Sequence, residues 1–192
     1  MKKILLLLLF FIFSSYYAES HPHIFIKTGV TVCFSNNTIN KLKIEFEFDK
    51  VFSQELLQTF DKNKNKIFDE SEIKNIEEKA FSNLVNYNYF IYITDNEKKI
   101  TSDNIANFTS SYKDGVVTYY FEIITNINIT ETQKTVKIAA YDHSYYFSVE
   151  INSVNFENNH FISSNYEIIE DKKQAFYYNQ IYPDCLILNL SK

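Results

Sequence analysis

The chain reads as an α+β fold: a mostly antiparallel, β-sandwich-like domain with a helix–loop–helix inserted at about residues 52–86. Three observations carry this reading. From Ile39 to Phe48 apolar and charged residues alternate, with Leu42, Ile44, Phe46 and Phe48 on one face and Lys41, Lys43, Glu45 and Glu47 on the other, which is the period of a half-buried strand. From Phe52 the spacing changes to four, through Leu56 and Phe60, and Ile73, Ile76, Ala80, Phe81 and Leu84 then mark a second, longer helix. Strand-like segments follow at 89–94, 105–112, 116–124, 134–142, 144–151, 160–169 and 185–190.

Each element has a local cause. Lys2 and Lys3 precede an unbroken apolar run from Ile4 to Phe13, and Ala18 and Ser20 are small residues at the −3 and −1 positions of a cleavage site. The run is too short to span a bilayer, so residues 1–20 read as a Sec-type signal peptide cleaved after Ser20, which sends the protein to the periplasm or outside the cell. Residues 21–192 then form one β-rich domain, long enough for a real core. Residues 23–34 are rich in apolar and β-branched side chains and pair with 39–48 as a hairpin across Ser35-Asn36-Asn37-Thr38. Ser53 is the expected N-cap of the first helix. Lys113-Asp114-Gly115 marks a second hairpin turn. With only two Gly and two Pro in the chain, other turns must rest on Asn, Asp and Ser.

Charge narrows the partners. The leader removes Lys2, Lys3 and Glu19, which leaves 17 lysines and no arginine against 23 acidic residues. That balance argues against nucleic acid and anionic membrane surfaces, and no later segment is apolar enough to span a membrane. Two cysteines, Cys33 and Cys185, lie near the two ends of the domain. In an oxidising compartment they could form a disulfide that staples the termini; they could equally be two buried thiols in adjacent strands.

The segment between the helices has the spacing of a cation loop. In the twelve residues from Asp61 to Glu72, Asp61, Asn63 and Asn65 supply oxygens at positions 1, 3 and 5, Ile67 a carbonyl at 7, Asp69 an oxygen at 9 and Glu72 a carboxylate at 12. Phe68 anchors the loop to the core. The insertion is therefore EF-hand-like, with one departure: Lys66 stands where glycine usually makes a left-handed turn. The spacing suggests weak Ca²⁺ binding, at about 10⁻⁴–10⁻³ M, or an Asn-rich connection in which Asp69 or Ser71 caps the second helix.

The start of the processed chain suggests a transition metal. His21-Pro22-His23 would place an α-amine and two imidazoles together. Pro22 has no amide N–H, so a square-planar site of successive backbone nitrogens is excluded. A side-chain site for Zn, Ni, Co or Cu remains, with Asp142 and His143 as further donors and His160 a weaker one. The competing reading has the histidines as a polar strand start and Asp142 as the residue that closes a turn.

These pieces in this order — His21-Pro22-His23-Ile24-Phe25-Ile26, Phe46-Glu47-Phe48-Asp49, the Asp61–Glu72 loop, Tyr87-Asn88-Tyr89-Phe90 and Tyr141-Asp142-His143-Ser144-Tyr145-Tyr146 — resemble the periplasmic family called domain of unknown function 1007. The resemblance implies a periplasmic component of an uncharacterised ABC-type transport system, similar to partners of nickel/cobalt-type exporters. It matches His21, His23, Asp61 and Asp142 to the family's positions; Lys66 and His143 depart from its pattern. The function expected is a non-enzymatic metal-binding accessory protein serving an inner-membrane transition-metal or ABC-type transporter. The alternatives are an adaptor or solute-binding component without its own transition metal, and a copper-dependent oxidase using the N-terminal histidine. No Gly-x-Ser-x-Gly or phosphate-loop motif is present, and the chain has no Trp to form a sugar-binding face.

Overall fold

A computed structural model describes residues 22–129, 133–158 and 163–191. Among the described residues, ten strands form two five-stranded sheets. The first sheet contains β1 (Ile24–Ser35), β2 (Thr38–Phe48), β5 (Ile105–Lys113), β6 (Val116–Asn128) and β8 (Phe147–Glu157), in the order β5-β6-β2-β1-β8. The second contains β3 (Ile91–Asp95), β4 (Lys98–Ile100), β7 (Lys134–Ala140), β9 (Ser163–Glu170) and β10 (Asp184–Ser191), in the order β4-β3-β7-β10-β9. The pairing is antiparallel throughout the described strands except for β1 beside β8, which run parallel.

Side chains from both sheets meet in one apolar core. Leu42, Ile44, Phe46 and Phe48 all turn inward, as the alternation requires, and are at most 4% exposed. Val30, Val32, Ile123, Ile138 and Leu186 complete the same cluster. Both expected hairpin turns form. Asn36 takes φ 53° between β1 and β2, and Asp114 and Gly115 take φ 53° and 88° between β5 and β6, the backbone that a two-residue hairpin needs.

The inserted segment holds α1 (Lys50–Phe60), α2 (Glu70–Lys79) and a 3-10 helix (Phe81–Phe90). Leu56, Leu57 and Phe60 of α1 and Ile76 of α2 are buried in the core. The expected cap of α1 is corrected. Asp49, not Ser53, caps it, because the Asp49 carboxylate already accepts from the amides of Val51 and Phe52. Ser53 lies fully buried inside the helix, where its hydroxyl donates to the Phe48 carbonyl and accepts from the Val117 amide. It ties α1 to β6.

Other boundaries also move. The second helix stops at Lys79, and the chain continues as the 3-10 helix rather than one long α-helix. Asn88, Tyr89 and Phe90 have φ of 51°, 50° and 58°, so the expected strand at 89 begins only at Ile91. Residues 142–146 form a turn, and β8 starts three residues later than expected. The three-residue β4 is too short to show a period in the sequence.

The outward face of the first sheet carries charge. Lys41 pairs with Glu122 at 2.7 Å and Lys43 with Glu157 at 2.7 Å. Burial pushes the Glu122 carboxyl up, but hydrogen bonds from Lys41 and Asn107 and the charge of Lys41 outweigh it, and the net shift is downward. For Glu157 the Lys43 hydrogen bond is the main cause of a downward shift. A carboxyl lowered by folding adds stability above its ordinary range and loses it as pH falls through the folded value. Unfolding free energy should therefore fall as the pH drops through and below about 4. In urea titrations across that range, Glu122→Gln should flatten part of the slope; an unchanged slope would assign the acid sensitivity elsewhere.

Candidate functional site

His21 and His160 lie outside the described residues. His23 stands just ahead of β1 and is firmly placed: its amide donates to the Tyr146 carbonyl at 2.9 Å, and its ring lies 4.8 Å from the Tyr146 ring, tilted by 40°. One residue pair further, the Phe25 amide donates to Asp49 Oδ2 at 3.0 Å while the Asp49 amide donates back to the Phe25 carbonyl at 3.0 Å. Asp49 thus serves twice, as the cap of α1 and as a clamp on the start of β1. The sequence signal for this residue was a carboxylate directly before a helix.

Asp142 lies behind Tyr146 and is 2% exposed. Its Oδ1 accepts from the Ser144 amide at 3.0 Å; its Oδ2 accepts from the Ser144 hydroxyl at 2.6 Å and from the amides of Tyr146 and Phe147 at 3.1 Å each. Four donors match the acceptor capacity of one carboxylate. Asp142 therefore builds the turn that presents Tyr146 to His23. A metal bound there would have to displace one of these donors.

His143 faces elsewhere. Its ring lies edge-on to Tyr141 at 4.7 Å and to Tyr92 at 5.4 Å, over the second sheet. Of the described metal candidates, the structure brings His23 to the Asp142 turn and sends His143 to an aromatic cluster on the other side of that turn. Tyr146, Tyr92 and Tyr141 were not singled out as site residues, because each is one of 15 tyrosines in the chain and nothing in the local pattern separates them.

The loop between α1 and α2 is held by its own carboxylates. Asp61 Oδ1 accepts from the Asn65 amide at 3.1 Å and Oδ2 from the Lys66 amide at 2.9 Å. Asn63 and Asn65 accept from the amides of Asn65 and Ile67, at 2.9 and 2.7 Å. Glu72 Oε1 accepts from the Lys62 amide at 2.7 Å and Oε2 from the Asp69 amide at 3.1 Å. Asp69 caps α2 and, with Glu72, forms a capping box. Its carboxyl is held below the ordinary range, first by the Ser71 hydroxyl and then by the Glu72 amide. Asp61 and Glu72 are buried, Phe68 packs into the core, and Ile67 is exposed. Lys64 and Lys66 take φ of 61° and 64°. Lys66 thus takes a left-handed backbone of the kind that favours glycine.

The disulfide is corrected. Both thiols are free and buried. Cys33 lies in β1 of the first sheet and Cys185 in β10 of the second, so they are not in adjacent strands either. Cys33 Sγ donates to Glu157 at 3.4 Å. Burial pushes each thiol up to about 11, helped by Glu157 at Cys33 and by Asp171 at Cys185.

Among the described residues, no three His, Cys, Asp or Glu side chains are grouped so as to hold a metal ion, and no helix is long and apolar enough to cross a membrane. No curated protein and no solved structure matches the chain. A family model described as "Protein of unknown function (DUF1007)" matches residues 6–176. The chain belongs to the DUF1007 family of proteins of unknown function.

Proposed function

We propose that this protein is an extracytoplasmic, non-enzymatic metal-binding accessory component of a transition-metal or ABC-type transport system. One observation carries the reading. His23 is anchored: the clamps from Tyr146 and Asp49 hold His23 and Phe25 at one end of the first sheet. A histidine held at a fixed place can recognise a cation with less loss of chain entropy than one on a free tail. After cleavage behind Ser20, the His21 α-amine and imidazole and the His23 imidazole would be the donors, suited to Zn, Ni, Co or Cu. His143 takes no part in this site, and Asp142 supports it by shaping the turn.

The interhelical loop is a separate, EF-hand-like site in this reading. What supports it is the run of oxygens at Asp61, Asn63, Asn65, Asp69 and Glu72, with left-handed backbone at Lys64 and Lys66. Three lysines in the loop and the competing amide bonds keep it weak, at about 10⁻⁴–10⁻³ M for Ca²⁺.

Native mass spectrometry of the chain beginning at His21, titrated with Ni²⁺, Zn²⁺, Cu²⁺ and Ca²⁺, tests both sites. One transition-metal ion should bind per chain, and an extra residue ahead of His21, or His23→Ala, should weaken it at least 100-fold while leaving Ca²⁺ uptake unchanged. Glu72→Gln should remove only the Ca²⁺. Equal transition-metal binding by the extended chain would sink the N-terminal site. A second reading, an adaptor without a transition metal of its own, is favoured by the full engagement of Asp142 by four donors. Absence of any transition-metal binding would select it.

A further inference from the structure

A cavity of about 550 Å³ opens on the outer face of the second sheet, within the usual size of small-molecule sites. Strand register explains it. Tyr92, Ala139 and Cys185 lie side by side across β3, β7 and β10, and two residues along, Lys99, Thr94 and Lys137 lie side by side across β4, β3 and β7. Residues two apart share a face, so both rows line the same surface. Ala139 and Cys185 are small and make its floor. Gln174 and Ala175 form one wall and Thr101 and Ser102 the other.

The two ends differ in chemistry. At one end Tyr92 stacks on Tyr141 at 4.3 Å, and His143 stands edge-on to both. At the other end Lys99 and Lys137 flank Thr94, their Cα atoms about 10 Å apart, two strand spacings. Neither lysine is in an ion pair among the described residues, in a chain whose net charge is −5. The aromatic row and the lysine row are separated by about 7 Å along the strands.

We infer that this cleft binds a small aromatic carboxylate, with the ring against the Tyr92–Tyr141–His143 cluster and the carboxylate between Lys99 and Lys137. Aromatic contacts favour a planar ring at the first end. The lysines favour a negatively charged group at the second, and the spacing fits a ring and carboxylate joined by a short linker. The site is independent of the metal reading and needs no ion.

The test is calorimetry and amide-shift mapping of the full chain without added metal, using 3-phenylpropanoate, its neutral amide and inorganic phosphate. The carboxylate should bind at least tenfold tighter than the amide and tighter than phosphate, with shifts centred on Tyr92 and Lys137. The double variant Lys99→Glu/Lys137→Glu should weaken the carboxylate at least tenfold and leave the amide unchanged; Ala139→Leu, which fills the floor, should weaken both. Failure of the carboxylate to bind, equal affinity for acid and amide, phosphate binding as tightly as the carboxylate, or indifference to both variants would each overturn the inference.

Discussion

Asp142→Ala is expected to lower the unfolding free energy by about 3–4 kcal/mol, through the loss of charge-assisted hydrogen bonds to three amides and a hydroxyl. The simple sum of such bonds is larger. Ser144 and Tyr146 are exposed enough to recover water, whereas the Phe147 amide lies at the half-buried start of β8. At about 2–4 °C per kcal/mol for a chain of this size, thermal unfolding followed by far-UV circular dichroism should shift down by roughly 6–16 °C. Asp142→Asn keeps one acceptor oxygen and should fall between wild type and Asp142→Ala. The same substitution should loosen His23, whose amide depends on the Tyr146 carbonyl. Amide exchange at His23 and Ile24 should accelerate along with the loss of stability. A loss under about 1 kcal/mol would mean that water replaces the carboxylate, and that the turn is specified by its backbone.

The second large effect is expected at Phe121, in β6. Its ring packs edge-on against Phe46 at 5.1 Å and tilted against Phe81 at 5.0 Å and Tyr89 at 6.0 Å, and the residue is 2% exposed. Phe121 therefore joins the first sheet to the 3-10 helix that follows the inserted helices. Phe121→Ala should cost about 3–5 kcal/mol, from lost transfer free energy and the cavity left between elements that cannot close on it. Phe121→Leu, which keeps most of the volume, should cost roughly 1–1.5 kcal/mol. Urea unfolding measures both. Amide exchange should show the 3-10 helix opening before the strands of the second sheet in Phe121→Ala. Uniform loss of protection across both sheets would instead mean that the insertion and sheets unfold as one unit.

Much of the fold was legible because its physical causes are local. The alternation in 39–48 must bury one face, and it does. Phe52, Leu56 and Phe60 must share a helix face, and Leu56 and Phe60 reach the core. The turns at Asn36 and Asp114-Gly115 follow from residue types that tolerate positive φ. Where local signals compete, the reading failed. Ser53 has good cap chemistry, but Asp49 is the stronger competitor and sits at the true helix start. Tyr89 and Phe90 are strand-forming residues, yet both are held with positive φ at the end of the 3-10 helix.

The candidate site divides along the same line. The loop from Asp61 to Glu72 is a contiguous motif, so its oxygens could be named from spacing alone. The metal set could not be partitioned that way. Asp142 and His143 are neighbours in the chain but are turned to opposite sides, one into the turn before β8 and the other over the second sheet. Cys33 and Cys185 lie near the two ends of the chain, which made a staple conceivable; the sheet order puts them in different sheets.

By itself, the sequence determined the class of fold, the inserted helices, the oxygen-rich loop and the family, because periodicity, turn chemistry and motif spacing act over a few residues. The tertiary structure alone decided which distant side chains meet: the parallel pairing of β1 with β8 that carries His23 to Tyr146, the separation of the two cysteines, and the aromatic and lysine rows on the second sheet. Those juxtapositions depend on strand order and register, and long-range pairing of this kind leaves no periodic trace in a single chain.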